Sequence, residues 1–199
     1  MDFPKSAERE LKAIADVRAC LTRFFQDITY AKEDYESLVL TGTASLLLQG
    51  LKDVEPMDID FVLRPQHAML SDLDGRLQRS GALLEEDEEL ADGGRHLSYR
   101  TGDVRIDLLI PWTDQVGHLL WGSGSDMSIG LQTVRVADPP IVIAMKIVAM
   151  RGKGDFRHAV AAIRQGLVST AAVASALDEL GAPASKVELE VIEYIATSR

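Results

Sequence analysis

The chain contains one cysteine, Cys20, and a single thiol cannot close an internal disulfide. The disulfide-stapled secreted class is thereby excluded. A cytoplasmic location is the default expectation, since the start MDFPKSAERE lacks the basic-then-apolar layout of a secretory signal. Long apolar runs are also missing. The longest, PPIVIAMKIVAM, is too short to span a bilayer and carries Lys146 near its middle, so no membrane role is expected. Positive charge is scarce: 21 Lys and Arg stand against 31 Asp and Glu, a net charge of −10 at pH 7. Broad nucleic-acid binding depends on many phosphate-neutralising cations, so RNA is disfavoured as a partner, while a local basic site stays open. What remains is 199 residues, 46% hydrophobic and 26% charged, enough for one well-buried core with or without an appended subdomain.

Periodicity divides the chain. Residues 6–25 place Leu11, Ile14, Val17, Leu21 and Phe25 at intervals of three and four, an amphipathic helix. SLVLTGT is an apolar run ending in a glycine turn, read as a buried strand, and ASLLLQG has helical composition and stops at Gly50. MDIDFVL reads as a strand and PQHAMLSDLDGRLQRSG as a helix closed by Gly81. RHLSYRTGDVRIDLLIP carries two strand-like runs around TGD, a hairpin signal, and LQTVRVA alternates like a further strand. Between them, WTDQVGHLLWGSGSDMSIG shows no clear period and reads as a long loop with at most one short helix, while EEDEEL at 85–90 reads as a solvated loop or helix end. From Asp138 onward four helical segments follow one another, separated by Gly or capped by Asp and Ser. The expectation is an α/β (α+β) architecture: residues 1–137 form a core with a small mixed sheet, and residues 138–199 form a helical subdomain packed on it.

Within MDIDFVL the two acids matter most. Side chains alternate along a strand, so Asp58 and Asp60 project together while Ile59 and Phe61 project the opposite way. Two carboxylates so close raise each other's pKa unless a cation sits between them. Hard cations such as Mg²⁺ take oxygen ligands and share them with substrate phosphates. Asp107, in VRIDLLIP, is a third acid in an apolar strand. If that strand lies beside the first, three carboxylates converge, as a two-metal phosphoryl-transfer site requires. The alternative is a solvent-facing strip, with Asp107 paired to Arg105 or Lys52. Upstream, the turn at Gly42 enters a helix, where backbone N–H groups and the hydroxyls of Thr41, Thr43 and Ser45 suit a polyphosphate.

These stretches together resemble the nucleotidyltransferase superfamily of DNA polymerase beta type, and most nearly its small bacterial AbiEii-like nucleotidyltransferases. LTGTA stands where those proteins have a Gly-Gly-Thr-Ala turn, with Thr41 in place of the first glycine. MDIDFVL matches their acidic strand, VRIDLLIP the strand of the third acid, and ADPPIVIAMKIVAMRGKGDFRHAVAAI their second conserved block. The likeness spans roughly residues 37 to 165. It implies that Asp58, Asp60 and Asp107 bind Mg²⁺ (or Mn²⁺) against an NTP, with Asp107 also helping to activate an acceptor hydroxyl. It further implies that Thr41, Gly42, Thr43 and Ser45 hold phosphates, that Lys146 stabilises developing charge, and that Asp155 is functional. The acceptors the family offers are RNA ends, protein hydroxyls and small molecules. Some members are toxins paired with an antitoxin protein, and a catalytically silent binding or regulatory protein is the competing expectation.

Other candidates divide more evenly. Lys146 could equally snorkel to the surface or pair with Asp155. Arg151 and Lys153 are phosphate contacts in the resemblance and ordinary C-terminal helix cations otherwise. His67, His96, His118 and His158 lack metal-ligand spacing and read as structural or surface residues. Trp121 reads as a cover for the core edge or a stacking platform.

Overall fold

The computed structural model describes residues 5–27, 38–63, 70–90, 93–111, 114–149 and 152–198, with side chains for all of these except 5–11, 27, 70–72, 114 and 115. Helix α1 (Lys5–Asp27) precedes strand β1 (Leu38–Thr41), helix α2 (Gly42–Leu48), β2 (Asp58–Leu63), α3 (Leu70–Arg79), β3 (Leu83–Glu89), β4 (Arg95–Thr101) and β5 (Val104–Ile110). Then come α4 (Asp114–Ser123), β6 (Ser125–Ile129), β7 (Gln132–Val136) and the helices α5 (Pro139–Ala149), α6 (Lys153–Arg164), α7 (Thr170–Glu179) and α8 (Lys186–Thr197), with a 3₁₀ turn (Pro183–Ser185) before the last. The mixed α/β architecture expected from the sequence is present. The start of the predicted PQHAMLSDLDGRLQRSG helix and His67 lie outside the described residues.

The seven strands among the described residues form one mixed sheet in the order β3-β4-β5-β2-β1-β7-β6. β1 is buried at all four positions and apolar at the first three, Leu38, Val39 and Leu40, as a strand covered on both faces must be. It pairs antiparallel with β2 and parallel with β7, and β2 pairs parallel with β5. The link from β1 to β2 is short because α2 begins directly at Gly42 and ends at a glycine turn, where Gly50 adopts φ 105° and Leu51 N–H returns to Leu46 O at 2.9 Å.

The two faces of the sheet are chemically different. Ile59 and Phe61 face α1: the Phe61 ring stacks on Phe24 at 5.1 Å and meets Phe25 edge-on at 5.9 Å. Tyr99, opposite Ile106 in register and so on this same face, donates its hydroxyl to Asp74 Oδ1 of α3 at 2.8 Å. Helices α1 and α3 therefore cover one face, with Leu21, Phe24, Phe25 and Leu77 buried against it. The acids of β2 and β5 occupy the other, which looks toward α5 and α6. Buried residues of the sheet, of α1 and of all four C-terminal helices belong to one hydrophobic cluster.

Two stretches depart from expectation. The acidic run Glu85–Glu89 belongs to strand β3, not to a loop or helix end, and all seven residues of β3 are exposed. What holds it is the ladder to β4 together with cross-strand pairs, Arg100 with Glu85 and Arg95 with Asp87. Between Asp114 and Gly130 the one short helix allowed by the sequence is α4, and strand β6 replaces the rest of the expected loop.

Candidate active site

Register brings the acids together. Thr41 of β1 lies opposite Asp60, Asp60 opposite Asp107, Asp107 opposite Ser98 of β4, and Ser98 opposite Glu86 of β3, a transverse row across five strands with every side chain on one face. Asp58, two residues before Asp60, shares that face and is opposite Arg105. One carboxylate oxygen from each of Asp58, Asp60 and Asp107 lies within 4.8 Å of the other two. Asp107 is 8% exposed; Asp58 and Asp60 are half-buried.

The surroundings of the acids are ordered. Arg105 Nε donates to Asp107 Oδ1 at 2.9 Å, His96 Nε2 stands 3.5 Å from that oxygen, and Arg105 Nη2 reaches Glu86 at 3.3 Å. Asp107 Oδ1 is thus engaged by the protein from two sides. Burial is the main cause that holds the Asp58 carboxyl above its ordinary range. The charge of Asp107 adds to it, while Arg105 and Lys146 act in the opposite sense. Gly42 explains how Asp60 fits. A Cβ at position 42 would lie 1.7 Å from Asp60 Oδ2, and the residue adopts φ 67°, so the carboxylate rests over a position open only to glycine.

A cavity of about 470 Å³ opens in front of the acids, within the size range of small-molecule sites. Its far wall is Lys146 of α5 with Asp155 and His158 of α6. Lys146 Nζ donates to Asp155 Oδ1 at 2.8 Å, both side chains being largely buried, and His158 Nδ1 lies 3.4 Å from Thr43 Oγ1. Burial, with the Lys146 charge second, lowers the pKa of His158 and favours the neutral imidazole.

Of the residues singled out in the sequence, Asp58, Asp60, Asp107, Thr41, Gly42, Thr43, Lys146 and Asp155 all line this cavity. Ser45 does not. It is wholly buried, and its hydroxyl donates to Gly42 O at 2.8 Å, which stiffens the turn. Lys153 is exposed and lies with Phe156 and Arg157 on a separate shallow surface, and Arg151 is outside the described residues. The two alternatives for Asp107 turn out to be compatible, since it pairs with Arg105 and also joins the other acids. Trp121 packs against the core and Cys20 is half-buried, its thiol pushed up to about 11 by burial. His96 and His158, read as structural or surface residues, belong to the cavity wall. For His158 the signal was present: it is three residues after Asp155 on one helix face. His96 reaches Asp107 from a neighbouring strand, which no local spacing could reveal.

Three carboxylates form an all-oxygen donor set suited to a hard divalent cation such as Mg²⁺ or Mn²⁺ and poorly suited to soft metals. The desolvation and mutual repulsion that raise the Asp58 pKa are what a bound cation would offset. Comparison with known proteins adds little. No protein-family model matches the chain, and no curated protein matches it. Among solved structures, the chain is similar to one described as "putative nucleotidyltransferase from H. pylori", with 16% identity and a TM-score of 0.41 over 98% of this chain and 96% of that one. It is also similar to JHP933 from Helicobacter pylori, with 16% identity and a TM-score of 0.39 over 98% and 93% of the two chains. At such identities and scores neither likeness bears on what this chain does.

Proposed function

We propose that this protein is a metal-dependent nucleotidyltransferase that transfers a nucleoside monophosphate from an NTP to an acceptor hydroxyl. The observation that supports the reading is the convergence of Asp58, Asp60 and Asp107 within 4.8 Å on one face of two parallel strands, before a cavity walled by Lys146. Asp58, Asp60 and Asp107 would hold the divalent cation. Bound there, it would supply charge neutralisation and Lewis-acid activation at the phosphate. Thr41, Gly42 and Thr43 form the rim beside the acids against which the β and γ phosphates would rest. Lys146, kept in place by Asp155, would face the negative charge that develops as the α-phosphate is attacked. Asp107, oriented by Arg105 and His96, would accept the acceptor's proton. The acceptor oxygen forms the new bond to the α-phosphorus, the α–β phosphoanhydride bond breaks, and pyrophosphate leaves.

The test is incubation of the protein with each α-labelled NTP, Mg²⁺ or Mn²⁺ and cell extract, with Asp60→Asn in parallel. Label transferred to an extract component by the wild type and lost by at least a hundredfold in the variant is the expected result. Failure of calorimetry to detect binding of any NTP in the presence of Mn²⁺ would sink the proposal. RNA shortening without gain of label would assign the same acids to a nuclease.

A further inference from the structure

Thr43 and His158 are 115 residues apart in sequence, and their side chains meet at 3.4 Å. Thr43 is buried to 7% exposure in the turn that opens α2, His158 is half-buried on α6, and both line the cavity. One turn earlier on α6, Asp155 holds Lys146. A single helix face thus anchors the cavity's lysine and meets the turn beside the acids.

The donor count of this pair is fixed by its chemistry. A threonine hydroxyl has one donor hydrogen, and an uncharged imidazole has one N–H. If Thr43 donates to Nδ1, the ring proton is on Nε2, and Nε2–H is left over. If Nδ1–H donates to Thr43, the hydroxyl hydrogen is left over. In either tautomer one donor is used inside the pair and one remains for a ligand.

We infer that His158, acting as one unit with Thr43, is a binding residue for the polyphosphate of the substrate and offers it a hydrogen-bond donor. This rests on the nucleotidyltransferase reading above. The pair joins the turn at Gly42, beside Asp60, to the wall that carries Lys146, so an anion bridging the acid-held cation and the lysine passes it.

Calorimetry with each of the four α,β-methylene NTPs and Mn²⁺ decides the matter, using wild type, Thr43→Val, His158→Ala and the double variant, with a thermal melt of each as a folding control. Each single change is expected to weaken binding roughly 5- to 20-fold, and the double change no more than the worse single one, because the two side chains act together. If His158→Ala does not fold, His158→Leu, which also lacks a donor, takes its place. Recovery of affinity in His158→Asn, whose amide reaches the Nδ1 position, would identify the Thr43 hydroxyl as the donor. Recovery in His158→Gln, which reaches the Nε2 position, would identify the ring N–H, and either supports the inference. Wild-type binding with His158→Ala inside twofold of it, or single losses that multiply in the double variant, would overturn it while leaving the enzyme reading intact. No binding by the wild type would end both.

Discussion

An added methyl group at position 42 meets two obstacles at once, a positive φ and the Asp60 carboxylate 1.7 Å from where its Cβ would stand. Gly42→Ala is therefore expected to cost about 1–3 kcal/mol of stability. It should also abolish the rise in melting temperature on adding Mn²⁺, because Asp60 must move. A variant that keeps the full Mn²⁺ shift would contradict this packing. Asp58 yields a different prediction. Its carboxyl is raised above the ordinary value near 3.8, so ionising it disfavours the folded state. That penalty is absent below the unfolded-state pKa and grows as pH rises through the folded-state value. At pH 7 in EDTA, Asp58→Asn should melt no lower than the wild type, and in Mn²⁺ it should show no cation-induced shift. A lower melting point in EDTA would refute the assignment of cause. These residues were legible one by one: alternation placed Asp58 and Asp60 on one face, and a lone acid in an apolar run marked Asp107. The role of Ser45 was not, because a hydroxyl beside a turn reads the same whether it points into a cavity or back to its own helix.

Between elements, the Lys146–Asp155 pair ties α5 to α6, and with both side chains largely buried it is screened less than a surface pair. A double-mutant cycle with Lys146→Ala and Asp155→Ala should return a coupling of about 1–2 kcal/mol by chemical denaturation. Near-zero coupling would mean that each side chain has an equally good alternative partner. Elements with strong periodicity could be read directly: α1, the β4–β5 hairpin and the four terminal helices have apolar residues at the spacing their burial requires. β3 could not be read. An edge strand exposed on every residue has no alternation for burial to impose, and its strand character depends on arginines that arrive from β4. Its dense negative charge also suits an edge that must not recruit another chain. Strand β6 was obscured because SDMSI holds too few apolar residues to mark a strand.

For the whole molecule, charge decides what can enter the site. The chain's net charge is −10, and the cavity gathers Glu55, Asp58, Asp60, Asp107 and Asp155 around Lys146. A bare polyphosphate is repelled by that field. NTP binding should be undetectable by calorimetry in EDTA and restored by millimolar Mg²⁺ or Mn²⁺; equal affinity with and without the cation would mean that the acids are not its ligands. Composition made this much legible, whereas the acceptor's identity depends on cavity shape. The transverse row from Thr41 through Asp60 and Asp107 to Glu86 has one more consequence. A one-residue slip of β5 against β2 would set Ile106 or Leu108 against Asp60 and send Asp107 to the α1 side of the sheet. Under the proposed function, cation uptake would therefore report strand register, since only a chain whose strands are in step presents all three acids together.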